Sequence, residues 1–327
     1  MRMKKGYTLK LSVYVLTINK VGEKDSIITY GDALKEMSSE SEKNKIFKQV
    51  IVNFEKSFNS KFVINGEGTK AIAIKGLNTI PEKNIIDGML IGGLTGIEQD
   101  VYKTQNSTNT NKSIDNDEVA ALPYYFKLWM PLDSNVGVLM VQSYTETGVV
   151  SLIKDKIEHF FKQKNYIFSD TKFVPKEYKE NFKKYSTVNK LILTKTQMSQ
   201  KARGALNTLF AAFEGLKVEI RVSGFDVSID KFWQQINKNK PLNADLSEFE
   251  MQNAGEYNVI ATYKDENGRQ AQACLTKEFD ILPNIILSDG IKEEGKEYPN
   301  YERIQKHTDA ILEEIKKEIG YTPNDVE

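Results

Sequence analysis

The sequence predicts an α+β protein of two lobes, each an antiparallel sheet with packed helices, ending in an amphipathic C-terminal helix. Three observations carry this. Segments of period-two alternation recur along the chain, turn-rich peptides join several of them into hairpins, and stretches of helical apolar spacing fall between. At 327 residues the chain exceeds what one compact core usually holds. The expected division is an N-terminal β-rich lobe with two helices, 1–165, and a C-terminal α+β lobe, 166–327, holding a basic segment and the terminal helix.

Residues 7–18 alternate Leu9, Leu11, Val13, Val15 with Lys10, Ser12 and Tyr14, which predicts a strand. From Glu42 to Phe58 the positions Ile46, Phe47, Val50, Ile51, Phe54 and Phe58 recur at helical spacing. Phe62–Ile64 and Ala71–Lys75 flank Asn65-Gly66-Glu67-Gly68 as a hairpin. Residues 103–118 hold one apolar residue, Ile114, too few to offset the entropy of ordering them, so a surface loop is expected. A second hairpin, Tyr124–Met130 with Val136–Ser143, leads into a helix from Val149 to about Lys164.

The second lobe is expected to begin with Tyr166–Val174 extended, a proline-initiated helix over 175–185, and a strand at Lys190–Thr194. A helix from Gln197 to Glu214 would bury Met198, Ala202, Ala205, Leu206, Leu209 and Phe213, with Gly215 as its stop. A strand at Val218–Val222 and a helix over 228–238 capped by Ser228 follow. Tyr257–Tyr263 and Arg269–Leu275 form a hairpin around Asn267-Gly268, a dipeptide that supplies the positive φ of a tight turn. The last helix, Tyr301 to Ile319, sets Tyr301, Ile304, Thr308, Ile311, Ile315 and Ile319 in a narrow seam, fit for its own sheet or for a partner helix.

Composition is that of an ordinary soluble protein, 40% hydrophobic and 28% charged. One cysteine, Cys274, fits a reducing cytoplasm, which is the expected location. The start, MRMKKGYTLKLSVYVLTI, mimics a signal peptide, but its alternation reads as a strand.

The formal net charge is zero, yet residues 172–203 carry nine basic side chains and two acidic ones. The bases are Lys172, Lys176, Lys179, Lys183, Lys184, Lys190, Lys195, Lys201 and Arg203; the acids are Glu177 and Glu180. Phe173, Tyr178, Phe182 and Tyr185 are interleaved. Cations with aromatics suit a polyanion such as nucleic acid, the cations neutralising phosphates and the rings packing on bases or sugars. A solvated lysine-rich face is the alternative. Residues 289–327, with eleven acids and six bases, are a candidate counter-charge.

Other chemistry is thinly supplied. His159 and His307 each sit on the polar side of a predicted helix, and with Cys274 they offer no ordinary zinc spacing. Cys274 within a strand reads as a small core residue. Gly66-Glu67-Gly68-Thr69-Lys70 lacks the spacer of a phosphate-binding loop, and Gly88, Gly92, Gly93 and Gly96 read as turn or bulge glycines. Asp87, Glu98, Asp226, Asp230 and Glu248 show no paired spacing, though a nuclease site assembled from distant strands stays open. No cofactor, metal site or catalytic residue is expected.

The order of elements resembles the RexA-type phage-exclusion proteins. The resemblance rests on Leu9-Lys10-Leu11-Ser12-Val13-Tyr14-Val15, on Val218-Glu219-Ile220-Arg221-Val222 with Phe225-Asp226-Val227-Ser228-Ile229, on Val259-Ile260-Ala261-Thr262-Tyr263-Lys264-Asp265-Glu266-Asn267-Gly268, and on the helical end. It spans most of the chain in layout. It implies a non-enzymatic homodimer that binds duplex DNA without strong sequence preference, in bacterial anti-phage defence, beside a membrane partner encoded by another gene. This chain departs in being longer, in its polar 103–118 segment and in its neutrality. Two other readings stand beside it: a sensor or structural protein capturing a partner through the terminal helix, and a metal-dependent nuclease.

Overall fold

The computed structural model describes residues 7–22, 28–58, 61–145, 147–235, 245–252, 256–264, 270–275 and 284–323. The chain forms an α+β protein of two compact units. One joins residues 1–173 to 286–327, and the other is 174–285. The division expected at 165 therefore falls at 173, and the terminal helix belongs with the N-terminal half of the chain. The reason is packing: the helix buries its seam on the first unit's sheet.

In chain order the first unit has β1 (Leu9–Lys20), α1 (Tyr30–Glu36), α2 (Lys43–Lys56), β2 (Val63–Ile64), β3 (Lys70–Ile80), β4 (Ile85–Leu94), β5 (Gln99–Lys103), β6 (Asn106–Ile114), β7 (Ala120–Trp129), β8 (Val136–Tyr144), α3 (Val150–Lys162) and β9 (Tyr166–Phe173). The second unit has α4 (Lys176–Tyr185), β10 (Thr187–Lys195), α5 (Gln200–Leu206), β11 (Val218–Ser228), α6 (Ile229–Gln235), β12 (Asn258–Lys264) and β13 (Gln270–Leu275). The short β14 (Ile285–Ile286) and α7 (Tyr301–Glu318) complete the first.

The first unit's sheet runs β14-β1-β8-β7-β4-β3-β2, with β9 also on β1. Both its faces are covered, so its central strands read as nearly continuous apolar runs rather than alternating ones. On one side α2 and α3 meet through Phe54 and Phe160, ring centroids 5.3 Å apart, and Phe161 stacks edge-on to Phe168 of β9 at 4.9 Å. On the other lies α7, burying Ile304, Thr308, Ile311, Leu312 and Ile315. The seam expected to suit either a sheet or a partner helix is thus already occupied.

Gly88 and Gly93 sit inside β4, not in turns or bulges. A Cβ on Gly93 would lie 1.9 Å from the Ala120 carbonyl oxygen, and one on Gly88 would lie 2.2 Å from that of Gly76. Both crowd a paired strand's backbone, which cannot swing away as a side chain would. Gly93→Ala should therefore cost about 1–3 kcal/mol, read as a lower urea midpoint with an unchanged m-value. A variant as stable as the parent would mean that the strands part freely there.

Two local expectations are overturned. Residues 103–118 are not a loop: β5 and β6 pair antiparallel, with Ser113 Oγ donating to Asp100 Oδ1 across the ladder at 2.8 Å. Poverty of apolar residues argues against a core, but a ladder needs only backbone donors and acceptors. The helix expected over 197–214 ends at Leu206, and a 3-10 turn spans Thr208–Ala212. Asn207 is extended, and its side-chain oxygen accepts from the Leu209 amide at 2.9 Å, a local bond that competes with helix continuation. Helix α1 was not anticipated, although Thr29 and Asp32 cap it reciprocally. The Asn267-Gly268 turn and residues 236–238 of the expected helix lie outside the described residues.

The second unit's sheet runs β11-β10-β12-β13. Its core gathers Val188, Leu191, Leu193, Val259, Ala261 and Tyr263 from the strands with Ile229, Met251 and Tyr257. An irregularity between Val188 and Lys190 breaks the alternation, so Val188, Leu191 and Leu193 all face the core despite their uneven spacing.

Candidate nucleic-acid interface

Helix α4 is positioned by its aromatic side. Phe182 packs against the second unit's core, its ring 4.1 Å edge-on from Tyr263. Lys176 and Lys184 consequently stand in solvent with Glu177, Glu180 and Asn181. Lys176 Nζ lies 3.7 Å from Glu180 Oε1, a screened surface pair. Lys184 Nζ lies 4.9 Å over the half-exposed Tyr185 ring, and a hydrogen bond to that phenol raises its pKa. Lys179 is half-buried, and Lys183 lies on α4 with its side chain outside the described set.

The described cations of the second unit do not form one face. Lys172 belongs to β9 in the first unit, paired opposite Tyr14. Lys190 shares the outer side of its sheet with Ile192 and Thr194, opposite the side on which Phe182 packs, while Lys195 ends the strand half-buried. Lys201 is exposed on α5. Arg203 is the clear correction. It is only 9% exposed, and its guanidinium donates to Met198 O at 2.8 Å and Ala211 O at 3.1 Å. It holds the chain together and has no face to offer a phosphate. Among those whose side chains are described, Lys176, Lys184 and Lys201 are the exposed ones.

Counter-charge is found mainly within the same unit. Residues 174–285 carry sixteen basic and fourteen acidic side chains, so most of the local excess is balanced there rather than by α7. Lys264 bonds Asp226 at 2.9 Å, and Glu219 meets both Lys217 and Arg221. The carboxyl of Asp226 is held below its ordinary range, first by a hydrogen bond from Thr187 and then by Lys264.

The most elaborate polar constellation lies elsewhere, under α7. Asp87 of β4 and Lys127 of β7 are paired in register, at 0% and 1% exposure. Lys127 Nζ is 3.6 Å from Asp87 Oδ2 and also meets Asp309, while donating to Gln305 O at 3.3 Å. Asp87 further accepts from Asn78 at 3.2 Å, Tyr125 at 3.2 Å, Tyr301 at 2.7 Å and Gln305 at 3.0 Å. The Tyr301 and Tyr125 hydroxyls titrate well above the ordinary phenol range, chiefly through burial and then through the Asp87 carboxylate. With every carboxylate lone pair engaged, the cluster is a structural clasp for α7 rather than a reactive site.

The remaining candidates disperse. Among the described residues no three His, Cys, Asp or Glu side chains gather as metal ligands. His159 is exposed; His307 is half-buried, and that burial lowers its pKa. Cys274 pairs with Ile260 by its backbone, and its side chain lies outside the described set. No helix among the described residues is long and apolar enough to cross a membrane. No protein-family model and no curated protein matches this chain.

Proposed function

We propose that the protein is a non-enzymatic, largely sequence-independent binder of the DNA phosphate backbone, acting in the bacterial cytoplasm as a homodimer in defence against phage. The observation that carries this reading is the presentation of α4: an aromatic anchor fixes the helix, and Lys176 and Lys184 stand in solvent on its outer side. Lys201 adds a third exposed cation in the same unit. Such cations position a duplex without reading its bases. The RexA-type layout is what selects duplex DNA and phage defence among polyanion partners. Capture of a partner helix by α7 is disfavoured, since its apolar seam is buried on its own sheet.

Three phosphate contacts would give a log–log salt slope of about −2.7 for duplex binding. Reversing Lys176, Lys184 and Lys201 together to Glu should bring that slope towards zero and abolish the gel shift at low salt. Unaltered duplex binding by this triple variant would overturn the assignment. Single-stranded DNA and RNA run beside the duplex test which polyanion is preferred, and a plasmid-nicking assay with magnesium tests the nuclease reading.

A further inference from the structure

Strand β11 is the longest of the second unit's sheet and lies at its margin, pairing with β10 alone among the described residues. Every second residue of it therefore turns its backbone N–H and C=O away from β10, towards the open margin. Near its end residues 224–226 stand against Asn189 alone, a bulge that leaves 218–223 as the regular stretch. That stretch carries none of the usual guards of an exposed edge, for it holds no proline and its inward side is apolar. Ile220 and Val222 pack on the unit's core from there yet stay part-buried, as on a strand with a neighbour on one side only. Glu219 and Arg221 alternate with them on the outer side, where the Arg221 side chain is 68% exposed. Its guanidinium bonds Glu219 of its own strand through Nε, and its outer Nη groups have no acceptor among the described residues.

Taking the homodimer proposed for this protein as its basis, we propose that residues 218–222 are its seam, pairing antiparallel with the same residues of a second copy. A two-fold axis normal to the sheet pairs residues symmetrically about the one it passes through, so the choice of centre fixes every pair. Centred on Glu219 or Arg221, the seam sets like charges face to face. Centred on Val218 it runs off the start of the strand, and centred on Val222 it runs into the bulge. Centred on Ile220, it sets Glu219 opposite the partner's Arg221 and Arg221 opposite the partner's Glu219. Val218 then faces the partner's Val222, and the two copies of Ile220 meet on the axis. Lys217, just outside the strand, falls opposite the partner's Ser223 and meets no like charge. Of these registers only this one matches opposite charges on the outer side and apolar residues on the inner side. That self-complementarity selects a second copy of the chain as the occupant of the edge, over an unrelated strand.

The test is the mass of the full chain in solution, measured by light scattering over a concentration series. The parent should dimerise. Arg221→Glu sets Glu against Glu across the seam, and Glu219→Arg sets Arg against Arg. Each substitution turns two attractive cross-strand pairs into repulsive ones, so each should weaken dimerisation by about thirtyfold. Far-ultraviolet circular dichroism of either variant should match the parent's, because both side chains lie on the outer side of the sheet. Mixing the two variants should restore a dimer, now a heterodimer with Glu opposite Arg at every pair, which misfolded chains could not form. A parent dimer that neither substitution weakens would overturn this seam and leave the homodimer resting on another surface. Variants that stay apart when mixed would overturn it as well. A parent that is monomeric at every concentration would overturn both the seam and the homodimer, and would leave the open edge to a strand of another protein.

Discussion

Lys127→Met is expected to cost the first unit about 3–5 kcal/mol. The substitution leaves Asp87, wholly buried, with only neutral donors around a carboxylate that met a cation 3.6 Å away. Asp87→Ala should cost a similar amount for the converse reason. Lys127 would keep Asp309, but Asn78, Tyr125, Tyr301 and Gln305 would lose their shared acceptor. Replacing both partners by apolar residues, Asp87→Leu with Lys127→Met, should recover much of the loss, since removing a buried pair whole spares the desolvation of either charge. Urea denaturation of the two singles and the double forms the cycle. Singles within about 1 kcal/mol of the parent would show that water enters and solvates the pair.

Truncation before residue 299 is expected to abolish the first unit's cooperative transition. Ile304, Ile311, Leu312 and Ile315 are each at most 1% exposed on α7. At about 1.5–3 kcal/mol apiece their burial rivals the whole stability margin of a domain, about 5–15 kcal/mol. Truncation would also uncover Asp87 and Lys127 on a sheet face evolved to be dry. The expected result is an insoluble chain, or a soluble one with flattened near-ultraviolet circular dichroism. A truncated chain that melts as sharply as the parent would mean that α7 is an appendage, and would reopen partner capture through its seam.

Much of the fold was legible residue by residue. Alternation over Leu9–Val15 located β1, helical spacing from Ile46 to Phe54 located α2, and the seam from Ile304 to Ile315 located α7. The failures have local causes. Asn207 diverted a helix whose apolar spacing continued to Phe213, because a side-chain hydrogen bond outweighs a weak propensity. The 106–114 strand has almost no apolar signal and exists through backbone pairing with β5. The clasp did leave a trace: one Asp in the apolar run of β4 and one Lys in that of β7. A lone charge in a strand buried on both faces signals an opposite charge across the ladder, and the register supplies it.

The candidate interface was the least legible part. Charge counting found the basic segment but could not separate cations facing solvent from one that supports the backbone, and Arg203 proved to be the latter. By itself the sequence determined the fold class, most strands and helices, and the concentration of positive charge in 172–203, because alternation, helical period and turn chemistry act between near neighbours. Only the tertiary structure decided which unit α7 joins, which of the nine cations face solvent, and that Lys127 and Tyr301 both converge on Asp87. Those outcomes depend on packing between residues as far as 218 positions apart, where no local preference of the chain can specify the partner.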